Sequence, residues 1–145
     1  MKIISSEWDP VTKTAIVVKQ SQYGHHRGVA TADAEDFEFA TEWDGYKLAS
    51  YKCQIQYFNE RAKRMYERYV GIRTVYYNLC QAYDNTDPIL CALKRQTLIA
   101  LRDADNARKK ADEFASDYND YAKYLVDSRK FFNEILEKKK NSVDN

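Results

Sequence analysis

The chain has 145 residues, with 23 basic and 22 acidic side chains and a net charge of +1. That length supports one domain, and the near-neutral balance removes the bulk attraction on which duplex nucleic-acid binding depends. Three cysteines without a CxxC pair argue against a disulfide framework or a zinc site. No apolar run approaches the roughly 20 residues that cross a bilayer.

Met1-Lys2-Ile3-Ile4 gives way at once to polar residues, so no signal peptide is expected and a cytoplasmic location in a host cell is. Residues 2–32 read as an antiparallel β-meander. Lys2–Trp8 is a first strand and Asp9-Pro10-Val11-Thr12 a turn. Lys13–Gln20 is a second strand, rich in the β-branched residues Thr14, Ile16, Val17 and Val18. Gln22-Tyr23-Gly24-His25-His26 reads as a loop and Arg27–Ala32 as a short third strand. Asp33-Ala34-Glu35-Asp36 then links sheet to helix, with Phe37 and Phe39 expected to seat the linker on the sheet.

A long heptad stripe follows. Leu48, Tyr51, Ile55, Phe58, Ala62, Met65, Tyr69, Ile72, Tyr76, Leu79 and Tyr83 alternate in steps of three and four. Alternation of that kind keeps one helix face against a partner. Helix one is predicted over 41–83, opening with the capping box Thr41-Glu42-Trp43-Asp44. Gly45 in its first turn costs about 1 kcal/mol of helix propensity, and a close approach of helix to sheet accounts for it. Asp87 and Pro88 read as the N-cap and first residue of helix two, over 88–139. Its stripe is Leu90, Leu93, Thr97, Ala100, Ala104, Ala107, Ala111, Phe114, Tyr118, Tyr121 and Leu125. Folded back antiparallel, Leu90 lies beside Tyr83, Ala104 beside Tyr69 and Leu125 beside Leu48. Phe131, Phe132, Ile135 and Leu136 then cover the meander. The expected fold is α+β: a three-stranded antiparallel meander followed by a long antiparallel two-helix coiled-coil hairpin, in one domain over 1–145.

Charge is unevenly spread. Residues 1–46 carry four basic and eight acidic side chains, net −4, while 47–83 carry seven and two, net +5. Arg61, Lys63, Arg64, Arg68 and Arg73 suit an anion site, but ion pairs of Arg68 with Asp105 and of Arg61 with Asp112 explain them better. His25 and His26 have no third ligand at metal spacing, so no metal site is expected. Cys80 and Cys91 flank the turn and read as buried, reduced thiols. No GxSxG, HExxH, P-loop or dinucleotide fingerprint occurs, and the chain reads as a non-enzyme without cofactor.

The bend region is more suggestive. Ile89, Leu90, Cys91, Ala92, Leu93, Leu98, Ile99, Ala100 and Leu101 are apolar almost all round, and Tyr66, Val70 and Tyr77 form a second stripe on helix one. Two helices cannot bury so much, which implies a further chain and a homo-oligomer built through the hairpin tips. Arg95 and Arg102 would then line a cleft between subunits.

Gly28-Val29-Ala30, Asp36-Phe37, Gly45-Tyr46-Lys47-Leu48-Ala49 and Lys52-Cys53 resemble a pattern in small phage proteins of Gram-positive hosts. The overall layout is similar to the first-described Thoeris anti-defence sponge family, with Asp33-Ala34 in place of His-Pro and Lys52-Cys53 in place of Arg-Ala. The resemblance implies an oligomer that sequesters a cyclic nucleotide-type immune signal without cleaving it, either gcADPR-like or a cyclic oligonucleotide. Under it, Arg95 and Arg102 would hold phosphate, Asn85 a base or ribose edge, and Tyr77 or Tyr83 would stack. An anti-CRISPR or other inhibitor gripping a host defence protein through the hairpin is the alternative. A nucleic-acid binder using Arg61, Arg64 and Arg68 fits less well.

Overall fold

The computed structural model describes residues 1–33 and 38–143. Five elements follow in order: β1 (Lys2–Asp9), β2 (Thr14–Ser21), β3 (Gly24–Thr31), α1 (Glu42–Cys80) and α2 (Pro88–Val143). The fold is α+β, an antiparallel meander of order β1-β2-β3 followed by a helical hairpin. The linker segment 34–37, with the expected Phe37 plug, lies outside the described residues. The chain forms two compact units, Met1–Gln54 with Phe114–Asn145, and Ile55–Glu113.

In the first unit, local chemistry makes the turns. Asp9 Oδ1 accepts the amides of Val11 at 2.8 Å and Thr12 at 3.4 Å, and these bonds hold its carboxyl below the usual range. Lys13 completes the turn at φ 48°. The next turn needs only Gln22-Tyr23, because Ser21 pairs Gly24, whose φ of 110° suits glycine. That tight closure corrects the expected loop at His25 and His26. Both belong to β3, opposite Gln20 and Lys19. His26 is buried, with Nε2 2.6 Å from Ser21 Oγ.

Alternation along β2 and β3 turns Ala15, Val17 and Lys19, and His26, Gly28 and Ala30, inward. The first turns of α1 lie on that face through Gly45, Ala49 and Cys53, spaced by four along one ridge. A Cβ on Gly28 would stand 1.9 Å from the Ala49 carbonyl oxygen. One on Gly45 would stand 2.7 Å from the Trp8 ring, so the close approach expected at Gly45 is real. Cys53 is fully buried and its thiol reaches the carbonyls of Val17 and His26, each at 3.2 Å. Burial pushes that thiol up.

Thr41 caps α1: Asp44 N–H donates to its hydroxyl at 3.2 Å, and that hydroxyl donates to Asp44 Oδ2 at 2.8 Å. The other Asp44 oxygen accepts the Tyr121 hydroxyl. Tyr51 meets Tyr118 and Tyr121 with centroids 6.5 and 6.1 Å apart. These contacts suit the register that sets Leu48 against Leu125. The expected cover by residues 131–136 does not form. Phe131, Phe132, Ile135 and Leu136 are exposed, and Phe132 stacks on Phe39 with a 6.0 Å centroid separation. Helix α2 continues unbroken to Val143, past the expected stop at Lys139, with no turn to fold this stretch back.

In the second unit, the stripe sets the packing. Ala62, Leu90, Ala100, Ala104, Ala107 and Ala111 are buried, and Phe58, Met65, Tyr69, Ile72, Tyr76 and Leu79 are half-buried. Helix α1 stops at Cys80, short of the expected 83. The amides of Ala82 and Tyr83 both fold onto the Leu79 carbonyl, which leaves Tyr83 outside the helix and exposed. Asp87 caps α2 as expected, its Oδ1 accepting Ile89 N–H at 2.8 Å. Cys80 is half-buried and Cys91 exposed, so the two are not both buried as expected.

Candidate functional site

The arginines of the second unit mostly find local partners. Arg64 meets Glu60 at 2.9 Å, Arg102 meets Asp103 at 3.5 Å, and Arg108 meets both Asp112 and, at 2.6 Å, Asn59. The expected pairs Arg61–Asp112 and Arg68–Asp105 are absent among the described residues. Arg108, one turn before Asp112 on the same helix, takes that carboxylate. The Arg73 guanidinium lies 5.2 Å from the Tyr69 ring centre.

The residues expected to hold a ligand are all at this end and all exposed. Tyr77 is 59 % exposed and Tyr83 48 %. Asn85, Arg95 and Arg102 are exposed as well. Arg95 and Arg102 stand two turns apart on one face of α2. Among the described residues no hydrogen bond joins any two of the five, and they line neither cavity described below. The five are spread from the end of α1 to the fourth turn of α2 and do not assemble into a pocket within a single chain. Around them Tyr66, Val75, Ile89 and Leu98 expose 48–59 % of their surface.

Two cavities lie in the first unit. One, of about 460 Å³, is walled by Trp8, Phe39, Leu48, Leu125 and Phe132, with Thr41 at its edge. The other is a groove of about 660 Å³ lined by Ile3, Val17, Trp43, Tyr46, Ser50 and Phe114 among others. Trp43 is 73 % exposed beside it.

Behind the groove lies a polar cluster that the sequence reading did not find. Lys19 is 7 % exposed and donates to Ser50 Oγ. Burial lowers its pKa, and the neighbouring Cys53 thiol opposes that effect. Two periodicities carried the signal. Ala15, Val17 and Lys19 share a strand face, while Tyr46, Ser50 and Gln54 share a helix face. Nothing in either pattern states that the two faces meet.

Tyr46 and Tyr121 are also held above the usual tyrosine range, chiefly by burial and then by hydrogen bonds to Glu42 and Asp44 respectively. Among the described residues no group of three or more His, Cys, Asp or Glu is placed to hold a metal ion. No helix among them is long and apolar enough to cross a membrane.

Meander, buried Lys19 and apolar grooves define an α+β chain with a small sheet-and-helix unit and a separate helical-hairpin unit. No protein-family model, curated protein or solved structure matches the chain.

Proposed function

We propose that the chain is a phage anti-defence sponge, a cytoplasmic homo-oligomer that binds a cyclic nucleotide-type immune signal and does not cleave it. The observation that carries this reading is the surface around the bend. Tyr77, Tyr83, Ile89 and Leu98 keep about half or more of their area in water, interleaved with exposed Asn85, Arg95 and Arg102. Exposed apolar side chains with arginines among them suit a contact between copies. Arginine forks and tyrosine faces at such a contact suit phosphates and bases. Arg95 and Arg102 bind phosphate, Asn85 a base or ribose edge, and Tyr77 or Tyr83 stacks.

Light scattering and calorimetry test it together. The expected result is a mass above one chain and saturable binding of one member of a panel of cyclic oligonucleotides and ADP-ribose cyclisation products. Arg95→Ala with Arg102→Ala removes that binding, and the nucleotide recovered after heating is intact. A monomer that binds no member of the panel overturns the proposal. A stable complex with a host defence protein under the same conditions transfers the bend surface to the inhibitor reading.

A further inference from the structure

The sheet-and-helix unit holds a buried cation that its own fold does not neutralise. Lys19 is 7 % exposed, and Ser50 Oγ accepts its hydrogen bond. Among the described residues no carboxylate pairs with it. The ionisable side chain that acts on it is the Cys53 thiol, which burial keeps protonated. Buried ammonium groups are ordinarily paired.

Ser50 also lines the 660 Å³ groove, as does Val17, two residues before Lys19 on the same face of β2. Ile3, Trp43, Tyr46, Tyr51 and Phe114 supply apolar and largely aromatic walls. The groove's lining carries one cation, Lys47, and one carboxylate, Asp117. Lys19 then sets the preference. The volume falls within the range of small-molecule sites, about 300–1,000 Å³.

We propose that this groove binds a small organic anion with a flat aromatic body, its anionic group engaging Lys19 and Ser50 and its ring system lying against Trp43, Tyr46 and Tyr51. Aromatic walls supply area, and the uncompensated ammonium supplies the charge preference. The site is independent of the bend surface and uses none of its residues.

Two fluorescent probes with the same aromatic body test it: 1-anilinonaphthalene-8-sulfonate and its neutral parent N-phenyl-1-naphthylamine. The wild-type chain is expected to bind the sulfonate roughly tenfold more tightly than the neutral probe. Lys19→Met keeps the stem and removes the charge. It brings the two affinities within about twofold while near-ultraviolet circular dichroism is unchanged. Trp43→Ala, at an exposed position, weakens both probes about threefold or more and preserves their ratio. Lys47→Met leaves Asp117 unopposed and lowers the ratio less than Lys19→Met does. The proposal is overturned by equal affinities in the wild type, by no saturable binding of either probe, by a ratio that survives Lys19→Met, or by one that falls further in Lys47→Met than in Lys19→Met.

Discussion

The two units solve helix packing in opposite ways. In the hairpin unit a single repeat does the work: alanines at 100, 104, 107 and 111 are buried on a stripe whose other helix offers Met65, Tyr69 and Tyr76. Small residues there make room for large side chains. In the sheet unit Gly28 makes room for backbone and Gly45 for an aromatic ring. Gly28 lies under the Ala49 carbonyl and Gly45 under Trp8, so helix and sheet approach too closely for a side chain between them. The first arrangement tolerates gradual change in side-chain volume. The second has a hard limit, because a main-chain oxygen cannot rotate away as a side chain can.

Glycine substitutions expose that difference most sharply. Gly28→Ala places a methyl against the Ala49 carbonyl and is expected to destabilise the protein by about 3 kcal/mol, measured by urea denaturation. Gly71, in the hairpin unit, has nothing within 4 Å of an added Cβ. Gly71→Ala is expected to stabilise by about 1 kcal/mol through helix propensity alone. A loss at both positions, or at neither, would erase the distinction between the units.

Lys19→Met sharpens the comparison from its electrostatic side. Removing a buried cation without a counter-ion is expected to raise stability by about 1–2 kcal/mol at pH 7. The pH dependence has a definite sign. The folded-state pKa of Lys19 lies below its unfolded value of 10.5, so the folded chain releases this proton first. The destabilisation is full below the folded pKa and is relieved as pH rises from there to 10.5. The gap between wild type and Lys19→Met therefore narrows on the alkaline side. Subtracting the two curves cancels the tyrosines common to both chains. A gap that widens would show that the ammonium is not strained by burial.

The smallest expected effect is at the helix start. Thr41→Ala removes the hydroxyl that accepts the Asp44 amide and is expected to cost about 1 kcal/mol in thermal or urea unfolding. Its partner Asp44 keeps the Tyr121 hydroxyl bond, so Thr41→Asn, which restores an acceptor, should recover most of the loss.

Much of the architecture was legible. The period-three-and-four stripe located both helices, because a coiled-coil seam writes every contact position into sequence spacing. Asp87-Pro88 and Thr41 located two helix starts, because caps are local hydrogen-bond chemistry. Tyr83 was misplaced at the other end, where the helix frays onto the Leu79 carbonyl and the stripe alone cannot say so. His26 was misplaced because a two-residue turn closed by Gly24 extends the strand further than the loop composition suggested. The exposure of Phe131 and Leu136 was not legible either, since covering the sheet needs a bend that an uninterrupted helix does not make.

The amino-acid order by itself determined the strands, the two long helices and the residues that share each face, since hydrogen-bonded periodicity is a property of neighbours in the chain. It also made Gly45 a position that demanded a tertiary reason. Only the folded structure decided that Gly28 meets Ala49 and that Lys19, from a strand, is buried against Ser50, from a helix. Those contacts join segments about twenty to thirty residues apart along the chain. Their energetics depend on exclusion of water and on the distance between backbones, which appear only when sheet and helix have come together.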